Sequence, residues 1–459
     1  MGNFTFGMYS GYLPVDGTKN KLHYILAESQ NDPATDPLVI WFNGGPGCSS
    51  MLGFLQEHGP YVMEDETNYF HYNNYSWNLE ANMLYIEMPA GVGYSYCGES
   101  KCTFNDNTTG VQNLNAILNF FKLFPEYQQH DLFVSGESYA GVYVPYVVAL
   151  MDEYNQNVTE SGKEEFQFNL KGFMVGNGVT NWKYDGDTNY LKIGYWFNLY
   201  SQSIENQMKY YGCNYYDIDI MPLDKLDANR TQCMQLRRQF SNLTSYINVY
   251  DLYRRCLDPG VANDTEDLYK YYEIDGEIKK YKAKFTHADY TPWLFKKHLQ
   301  GTPELGGSPP PPNPLGSCTF GLPLLEWTND KEVRQLLHIP KEVQAWEMCS
   351  TSVGYHMQPE ASQFIYERLD GKYRTLFYSG DTDGAVPTHG SQQWMAELGW
   401  KTSEERRQYY VDGQVAGFVS ELDRNFTFGT VHGCGHMAPQ WKRPQTYHLI
   451  FNWLKQRPI

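Results

Sequence analysis

The sequence predicts an α/β protein in which helices cover a mostly parallel, doubly wound sheet. One observation is the continuous apolar run Pro37–Phe42, which is typical of a strand buried on both faces. A second is that such runs alternate with helical patterns through residues 1–178. A third is that Gly-rich segments follow several of the runs, where open α/β sheets bind their ligands.

Composition narrows the function classes. The 459 residues are 41% hydrophobic and 16% aromatic, which indicates a folded chain with a large core. A formal net charge of −17 argues against a nucleic-acid partner. No run of 18 apolar residues occurs, so we expect no membrane span.

The first elements are a hairpin and a buried strand. Alternating polar and apolar residues predict antiparallel strands at Gly7–Leu13 and Lys21–Leu26. The buried strand Pro37–Phe42 leads into Asn43–Ser50, whose Gly-Gly-Pro-Gly core fits no regular element. This loop is either a plain turn or an oxyanion-hole loop that presents backbone N–H groups.

A second strand and loop follow at Ala81–Glu87 and Pro89–Ser95. Apolar residues at helical spacing then predict a helix over Val111–Phe124.

The next stretch predicts a nucleophile elbow. Leu132–Val134 is a short buried strand, the chain turns at Ser138, and a helix follows from about Gly141. Strand, tight turn and helix expose a serine hydroxyl above the sheet edge. The last position of the usual G-x-S-x-G pattern holds Ala140, a small departure. The alternative is an ordinary Gly-Ser turn.

The pattern divides the chain into three parts. Residues 1–178, which end in the strand and loop Leu170–Gly178, form the first part of the core. Residues 179–320 predict a largely helical cap insertion that ends in the Pro-rich connector Gly306–Pro314. Residues 321–459 form the second part of the core.

Two strand-end loops in the last part offer an acid and a base. Strand Tyr373–Tyr378 leads to Asp381 and Asp383, and strand Phe426–Val431 leads to His432 and His436; a closing helix spans Trp441–Leu454. A serine nucleophile needs a base and an orienting acid, and the order Ser, Asp, His is that of the α/β-hydrolase fold. From the residues alone, either aspartate and either histidine could serve.

Four segments resemble the signature motifs of the serine carboxypeptidases, the family of carboxypeptidase Y, plant serine carboxypeptidases and cathepsin A. They are Asn43–Ser50, Gly136–Gly141, Gly380–Asp383 and Gly435–Met437.

The resemblance implies an α/β-hydrolase fold and a role for each site residue. Ser138 is the nucleophile, His436 the base and Asp383 its orienting acid. The backbone N–H groups of Gly45 and Tyr139 form the oxyanion hole.

The resemblance also implies that Asn43, Gly44, Glu57 and Glu137 bind the terminal carboxylate of a substrate. Two carboxyl groups can do so if the pair retains a proton, so we expect an acidic optimum for peptide hydrolysis. The alternative for Glu57 is a solvated helix residue.

The same resemblance pairs eight of the nine cysteines. The pairs are Cys48 with Cys349, Cys256 with Cys318, Cys213 with Cys233, and Cys97 with Cys102. Cys434 is left over, as either a reactive free thiol or an inert buried cysteine.

Eight N-glycosylation sequons beside many cysteines indicate the secretory pathway, with a secreted or lysosomal/vacuolar destination. They begin at Asn3, Asn74, Asn107, Asn157, Asn229, Asn242, Asn263 and Asn425.

The sequence therefore predicts a hydrolase that releases C-terminal amino acids from peptides and proteins through an acyl-enzyme on Ser138. The alternatives are an acyltransferase or esterase with the same triad, and a non-catalytic protective role. No cofactor or metal is expected, and a homodimer is possible. Tyr139 and Met437 favour an apolar substrate side chain.

Overall fold

The structure is a computed structural model that describes residues 5–64, 69–99, 102–213, 230–245, 247–254, 269–274, 277–282 and 322–459. Its strands are β1 Met8–Pro14, β2 Lys21–Ala27, β3 Leu38–Phe42, β4 Tyr61–Val62, β5 His71–Tyr72, β6 Asn82–Ile86, β7 Thr103–Asn105, β8 Leu132–Glu137, β9 Leu170–Gly176, β10 Tyr269–Ile274, β11 Glu277–Lys282, β12 Gly354–His356, β13 Arg374–Gly380, β14 Thr402–Val411, β15 Gln414–Leu422 and β16 Phe426–Val431.

The α-helices in the same residues are α1 Asp106–Leu123, α2 Ala140–Ser161, α3 Asp187–Trp196, α4 Gln202–Tyr211, α5 Arg230–Leu243, α6 Leu322–Asn329, α7 Lys331–Leu336, α8 Gln363–Leu369, α9 Thr388–Glu397, α10 Ala438–Trp441 and α11 Arg443–Leu454. A π-helical turn spans Gly53–Glu57, and 3-10 turns span Trp77–Leu79 and Pro125–Gln129.

A ten-stranded sheet organises the fold, in the order β1-β2-β6-β3-β8-β9-β13-β16-β15-β14. The six central strands, from β6 to β16, are parallel, and an antiparallel pair closes each side. Every residue of β3, β8 and β16 is buried. This agrees with the sequence prediction of a mostly parallel sheet that is covered on both faces.

The alternation of side chains along each strand divides the core into two clusters. Ile40 and Val134 belong to one cluster, whereas their chain neighbours Val39 and Phe133 belong to the other. Helices α1 and α2 contribute to the first cluster and α11 to the second. The sheet is therefore the middle of three layers.

Several element boundaries differ from the sequence predictions. The helix predicted over Val111–Phe124 begins earlier, at Asp106. The closing helix is divided into α10 and α11 by Lys442, whose φ of −136° is not helical. The segment predicted as a largely helical cap contains α3, α4 and α5, but also the hairpin β10–β11, which the sequence analysis did not predict.

The early start of α1 has a local cause. The Asn105 side chain accepts a hydrogen bond from Thr108 N at 2.9 Å, and Thr108 Oγ1 accepts one from Asn105 N at 2.9 Å. This reciprocal capping box satisfies two backbone N–H groups at the helix start.

We predict that Asn105→Ala lowers the free energy of unfolding by about 1 kcal/mol, because the cap is lost. Asn115→Ala, in the middle of the same helix, is the matched control, and its unfolding free energy should stay close to that of the native chain. Urea denaturation of the three proteins measures both. Equal stability of Asn105→Ala and the native chain would contradict the capping role.

Candidate active site

The elbow lies where β8 ends and α2 begins. Ser138 has a φ of +64°, a conformation that is uncommon outside glycine and that concentrates at functional sites. A Cβ on Gly136 would lie 2.4 Å from Phe42 O, and one on Gly141 would lie 2.4 Å from Val179 O. Glycine is therefore required on both sides of the serine. The sharp turn exposes part of Ser138, whereas its neighbours Glu137 and Tyr139 are buried.

The Gly-rich loop after β3 packs directly against the elbow. A Cβ on Gly44 would lie 2.4 Å from Tyr139 N and 2.8 Å from Ser138 Cβ. Gly45 has a φ of +116°, which a residue with a side chain rarely adopts. The two peptide segments that carry the predicted oxyanion-hole donors are thus in contact.

The side chain of Tyr139 has no exposed surface. The prediction that this ring helps to select an apolar substrate side chain is therefore wrong. Met437, the other residue in that prediction, is partly exposed.

A disulfide fastens the Gly-rich loop to a distant part of the chain. Cys48 is bonded to Cys349, and the backbone N–H groups of Ser49 and Ser350 donate to Met348 O and Gly47 O, each at 2.9 Å. The structure also contains the disulfides Cys97–Cys102 and Cys213–Cys233. The predicted pair Cys256–Cys318 lies outside the described residues.

A buried histidine–glutamate pair supports the same loop and was not predicted from the sequence. His23 Nδ1 lies 2.8 Å from Glu87 Oε2, and both side chains are almost fully buried. The Ser49 hydroxyl donates to Glu87 Oε1, as does Trp346 Nε1 at 3.1 Å. The only indication of this pair in the sequence was a glutamate directly after an apolar strand.

A second buried pair joins the ends of β13 and β16. His436 Nδ1 lies 2.6 Å from Asp383 Oδ2, and the two side chains are 3% and 0% exposed. Asp383 also accepts from the Ala385 and Val386 N–H groups and from Asn177 Nδ2, at 2.7, 3.2 and 2.9 Å. Nε2 of the imidazole is buried and makes no hydrogen bond to the described residues.

Asn177 is another residue that the sequence analysis did not single out. Its Oδ1 accepts from Gly380 N at 3.0 Å, so its amide joins the end of β9 to the loop of Asp383. Asn177 has a φ of +41°. The indication of its role in the sequence was its position between two glycines at the end of a strand.

The other aspartate and histidine form a separate, more exposed pair. His432 Nδ1 lies 2.7 Å from Asp381 Oδ2, and these side chains are 60% and 29% exposed. Distance alone therefore does not distinguish the two pairs. Burial does, because an imidazole can be held in one orientation and shielded from water only in the buried pair.

A segment from the predicted cap contacts both loops of the buried pair. His436 N donates to Tyr250 O at 2.7 Å, Gly384 N donates to Val249 O at 2.8 Å, and Leu252 N donates to Thr382 O at 3.0 Å. The rings of Tyr250 and His436 are 5.1 Å apart.

An acid pair lies beside the elbow. Glu57 and Glu137 are 1% and 3% exposed, so the alternative of a solvated Glu57 is excluded. Asn43 Nδ2 donates to Glu57 Oε1 at 2.8 Å and to Glu137 Oε1 at 3.2 Å. Burial raises the pKa of Glu57 to about 7, and burial together with the Glu57 charge raises the pKa of Glu137 well above its usual range. A proton retained by one carboxyl group allows it to donate to the other.

The geometry around the acid pair is fixed by neighbouring groups. Asn43 Oδ1 accepts from Trp41 Nε1 at 2.8 Å and from Gly53 N at 2.9 Å, which directs the amide nitrogen to the glutamates. Arg443 Nε donates to Glu57 O at 3.0 Å, at the end of the π-helical turn. π-Helical turns are often found at functional sites.

Comparisons with known proteins identify the family of the chain. The serine carboxypeptidase family model matches residues 1–456. The mouse lysosomal protective protein is 32% identical over 99% of this chain and 91% of its own length. Serine carboxypeptidase-like 21 of Arabidopsis thaliana is 34% identical over 100% of this chain and 92% of its own length. The chain belongs to the serine carboxypeptidase family.

This membership confirms the resemblance stated from the sequence, and with it the assignment as a carboxypeptidase and hydrolase. It does not favour the acyltransferase alternative. A structure of a prohormone-processing carboxypeptidase from Saccharomyces cerevisiae, 20% identical, superposes with a TM-score of 0.69 and covers 98% of this chain and 91% of its own. This similarity confirms the α/β-hydrolase fold.

The carboxypeptidase carries one cysteine near the site that forms no disulfide in the described residues. Cys434 is fully buried, and burial raises the pKa of its thiol well above the usual range. A thiolate is therefore disfavoured, which supports the inert alternative over the reactive one.

Among the described residues, no group of three or more His, Cys, Asp or Glu side chains could hold a metal ion. None of the helices described is long and apolar enough to cross a bilayer. Asn74, Asn107, Asn157, Asn242 and Asn425 are exposed, whereas the sequons at Asn3, Asn229 and Asn263 lie outside the described residues.

We predict that the acid pair makes stability depend on pH. The pKa of Glu57 rises from 4.5 to about 7 on folding, so over this window the folded chain keeps a proton that the unfolded chain releases. The free energy of unfolding therefore falls as the pH rises. The double variant Glu57→Gln/Glu137→Gln should lose less stability over the same window, by on the order of 1–3 kcal/mol.

Urea denaturation at several pH values between 4.5 and 7 measures this difference. Glu160→Gln, which changes an exposed glutamate, is the control and should behave like the native chain. If the double variant kept the native pH dependence, the two carboxyl groups would not hold a proton on folding.

Proposed function

We propose that Ser138 is the nucleophile of this carboxypeptidase, that His436 is its general base and that Asp383 orients the imidazole. The observation that supports this best is the buried Asp383–His436 pair, whose Nε2 remains available to a serine hydroxyl. The alternative pair, Asp381 with His432, is too exposed to hold a base in a dry site.

The proposed reaction has two stages. Ser138 Oγ attacks the carbonyl carbon that precedes the last residue of the peptide, and its proton passes to His436 Nε2. The C–N bond then breaks, and the leaving amine takes that proton from the imidazolium. A water molecule, activated by His436, hydrolyses the ester that remains on Ser138. The N–H groups of Gly45 and Tyr139 stabilise the oxyanion in both stages.

Recognition of the free C-terminus is assigned to Asn43, Gly44, Glu57 and Glu137. The buried pair of glutamates would repel a substrate carboxylate if both were ionised. With a shared proton the pair instead donates a hydrogen bond to that carboxylate, next to the nucleophile. Acidic pH keeps the proton in place, so the enzyme is suited to an acidic compartment.

The proposal also includes the domain organisation and the cellular location. In the proposed domain organisation, residues 179–320 are the cap insertion, and residues 1–178 and 321–459 are the two parts of one core. The three disulfides and the exposed sequons support transit through the secretory pathway, with secretion or a lysosomal or vacuolar location as the destination.

The substrate is a peptide or protein C-terminus, and a homodimer is a possible assembly.

The two aspartate–histidine pairs provide a matched test. Asp383→Asn should lower kcat for hydrolysis of Z-Phe-Leu by on the order of 10⁴, because the imidazole loses its orienting charge. Asp381→Asn makes the same chemical change in the exposed pair and should leave kcat nearly unchanged. Steady-state kinetics of the two variants measure this difference. A large loss in Asp381→Asn with an active Asp383→Asn would transfer the role to the other pair.

The carboxylate site is tested by comparing Z-Phe-Leu with its amide across pH. As the pH rises through about 7, Glu57 loses its proton and the pair gains a negative charge, so the KM for the free acid should increase on the order of tenfold. The KM for the amide should not, since it has no carboxylate to repel. Ser138→Ala is the control for background hydrolysis and should be inactive on both. Parallel KM profiles would overturn the shared-proton account.

A further inference from the structure

A buried carboxyl group contacts the side chain of Tyr139, a residue of the proposed oxyanion hole, and has no part in the reaction described above. Asp106, the first residue of α1, is 2% exposed. Its Oδ1 accepts hydrogen bonds from the hydroxyls of Tyr139 and Tyr355, at 2.7 and 2.8 Å, and its Oδ2 accepts one from Gln358 N at 2.7 Å. A buried carboxyl group is costly, and these three donors offset that cost.

Two of these donors, the hydroxyls of Tyr139 and Tyr355, belong to a cluster of three buried tyrosines. The ring centroids of Tyr139, Tyr143 and Tyr355 are 5.1 to 6.1 Å apart. The hydroxyl of Tyr143 lies near the backbone of Gly47, in the Gly-rich loop, but makes no hydrogen bond to the described residues. The cluster therefore holds the elbow through Tyr139 and approaches the Gly-rich loop through Tyr143.

Tyr139 connects this cluster to the reaction. Its backbone N–H is a proposed oxyanion donor, and its side chain is held at the far end by Asp106. A peptide group whose residue is fixed at both ends has little freedom to rotate. Oxyanion donors need this rigidity, because they act on a charge that exists only in the transition state.

We propose that Asp106 is a positioning residue of the oxyanion hole and that it acts through the hydroxyl of Tyr139. This inference rests on the proposed function. Burial and the neighbouring Asp106 charge keep the pKa of the Tyr139 hydroxyl well above its usual range, which favours the protonated form that donates to Asp106.

The two hydroxyls on Asp106 Oδ1 allow a matched test. Tyr139→Phe and Tyr355→Phe each remove one donor to the same oxygen and keep the ring. Only Tyr139 also carries the oxyanion N–H. We expect Tyr139→Phe to lower kcat for Z-Phe-Leu about tenfold with little change in KM, whereas Tyr355→Phe should change kcat less than about twofold. Urea denaturation of both variants shows how much stability each has lost.

Binding of Z-Phe aldehyde supplies a second readout, which a purely structural role would not change. The aldehyde forms a tetrahedral adduct with Ser138 that needs the oxyanion donors, whereas the product Z-Phe does not. Tyr139→Phe should weaken binding of the aldehyde by the same factor by which it lowers kcat, and it should leave binding of Z-Phe unchanged. Asp106→Asn, which keeps an acceptor oxygen but loses the charge, should show a smaller loss of the same kind.

The outcomes separate this inference from the proposed function. A native enzyme that did not hydrolyse Z-Phe-Leu would overturn the proposed function itself. An active native enzyme in which both tyrosine variants lost kcat equally, or only in proportion to their stability, would overturn the positioning role of Asp106 alone.

Discussion

Parallel pairing of the central strands is the constraint on which the site depends. Parallel neighbours end at the same edge of a sheet, and here the register aligns those ends closely. Gly136 lies opposite Phe42 on one side and Val175 on the other, and Gly380 lies opposite Val431. The loops after β3, β8, β9, β13 and β16 therefore converge, although their residues are spread from Asn43 to His436. No single segment of the chain could supply such a set.

Much of this convergence could be predicted from the sequence. Apolar runs followed by Gly-rich loops mark the strand ends, and Ser138 lies in a tight turn between a strand and a helix. The hairpin β14–β15 could also have been predicted, because Asp412 and Gly413 form the turn and both have positive φ. Its strands are irregularly paired and β14 is mostly polar, which obscured the usual alternation.

What the sequence could not supply was burial. The two aspartates, Asp381 and Asp383, are two residues apart in the sequence, and the two histidines, His432 and His436, are four residues apart. The distance from imidazole Nδ1 to carboxylate Oδ2 is nearly equal in the two pairs. Only the Asp383–His436 pair is shielded from water, because it packs against the sheet and the segment at Tyr250. The same applies to Glu87, whose partner His23 is distant in sequence, and to Asp106, which resembles any acidic residue at the start of a helix. Side chains of identical type acquire different chemistry from their surroundings.

The disulfide between Cys48 and Cys349 spans 301 residues. One of its ends lies in the loop that carries Gly45, near the start of the chain, and His436 follows later still. During synthesis, the chain must therefore be made as far as Cys349 before this loop can be tied down, and as far as His436 before the proposed base can reach Ser138. A nascent chain that contains Ser138 but not yet His436 holds an incomplete set of the proposed catalytic residues. The order of residues along the chain thus delays hydrolytic competence until the loop after β16 has been made.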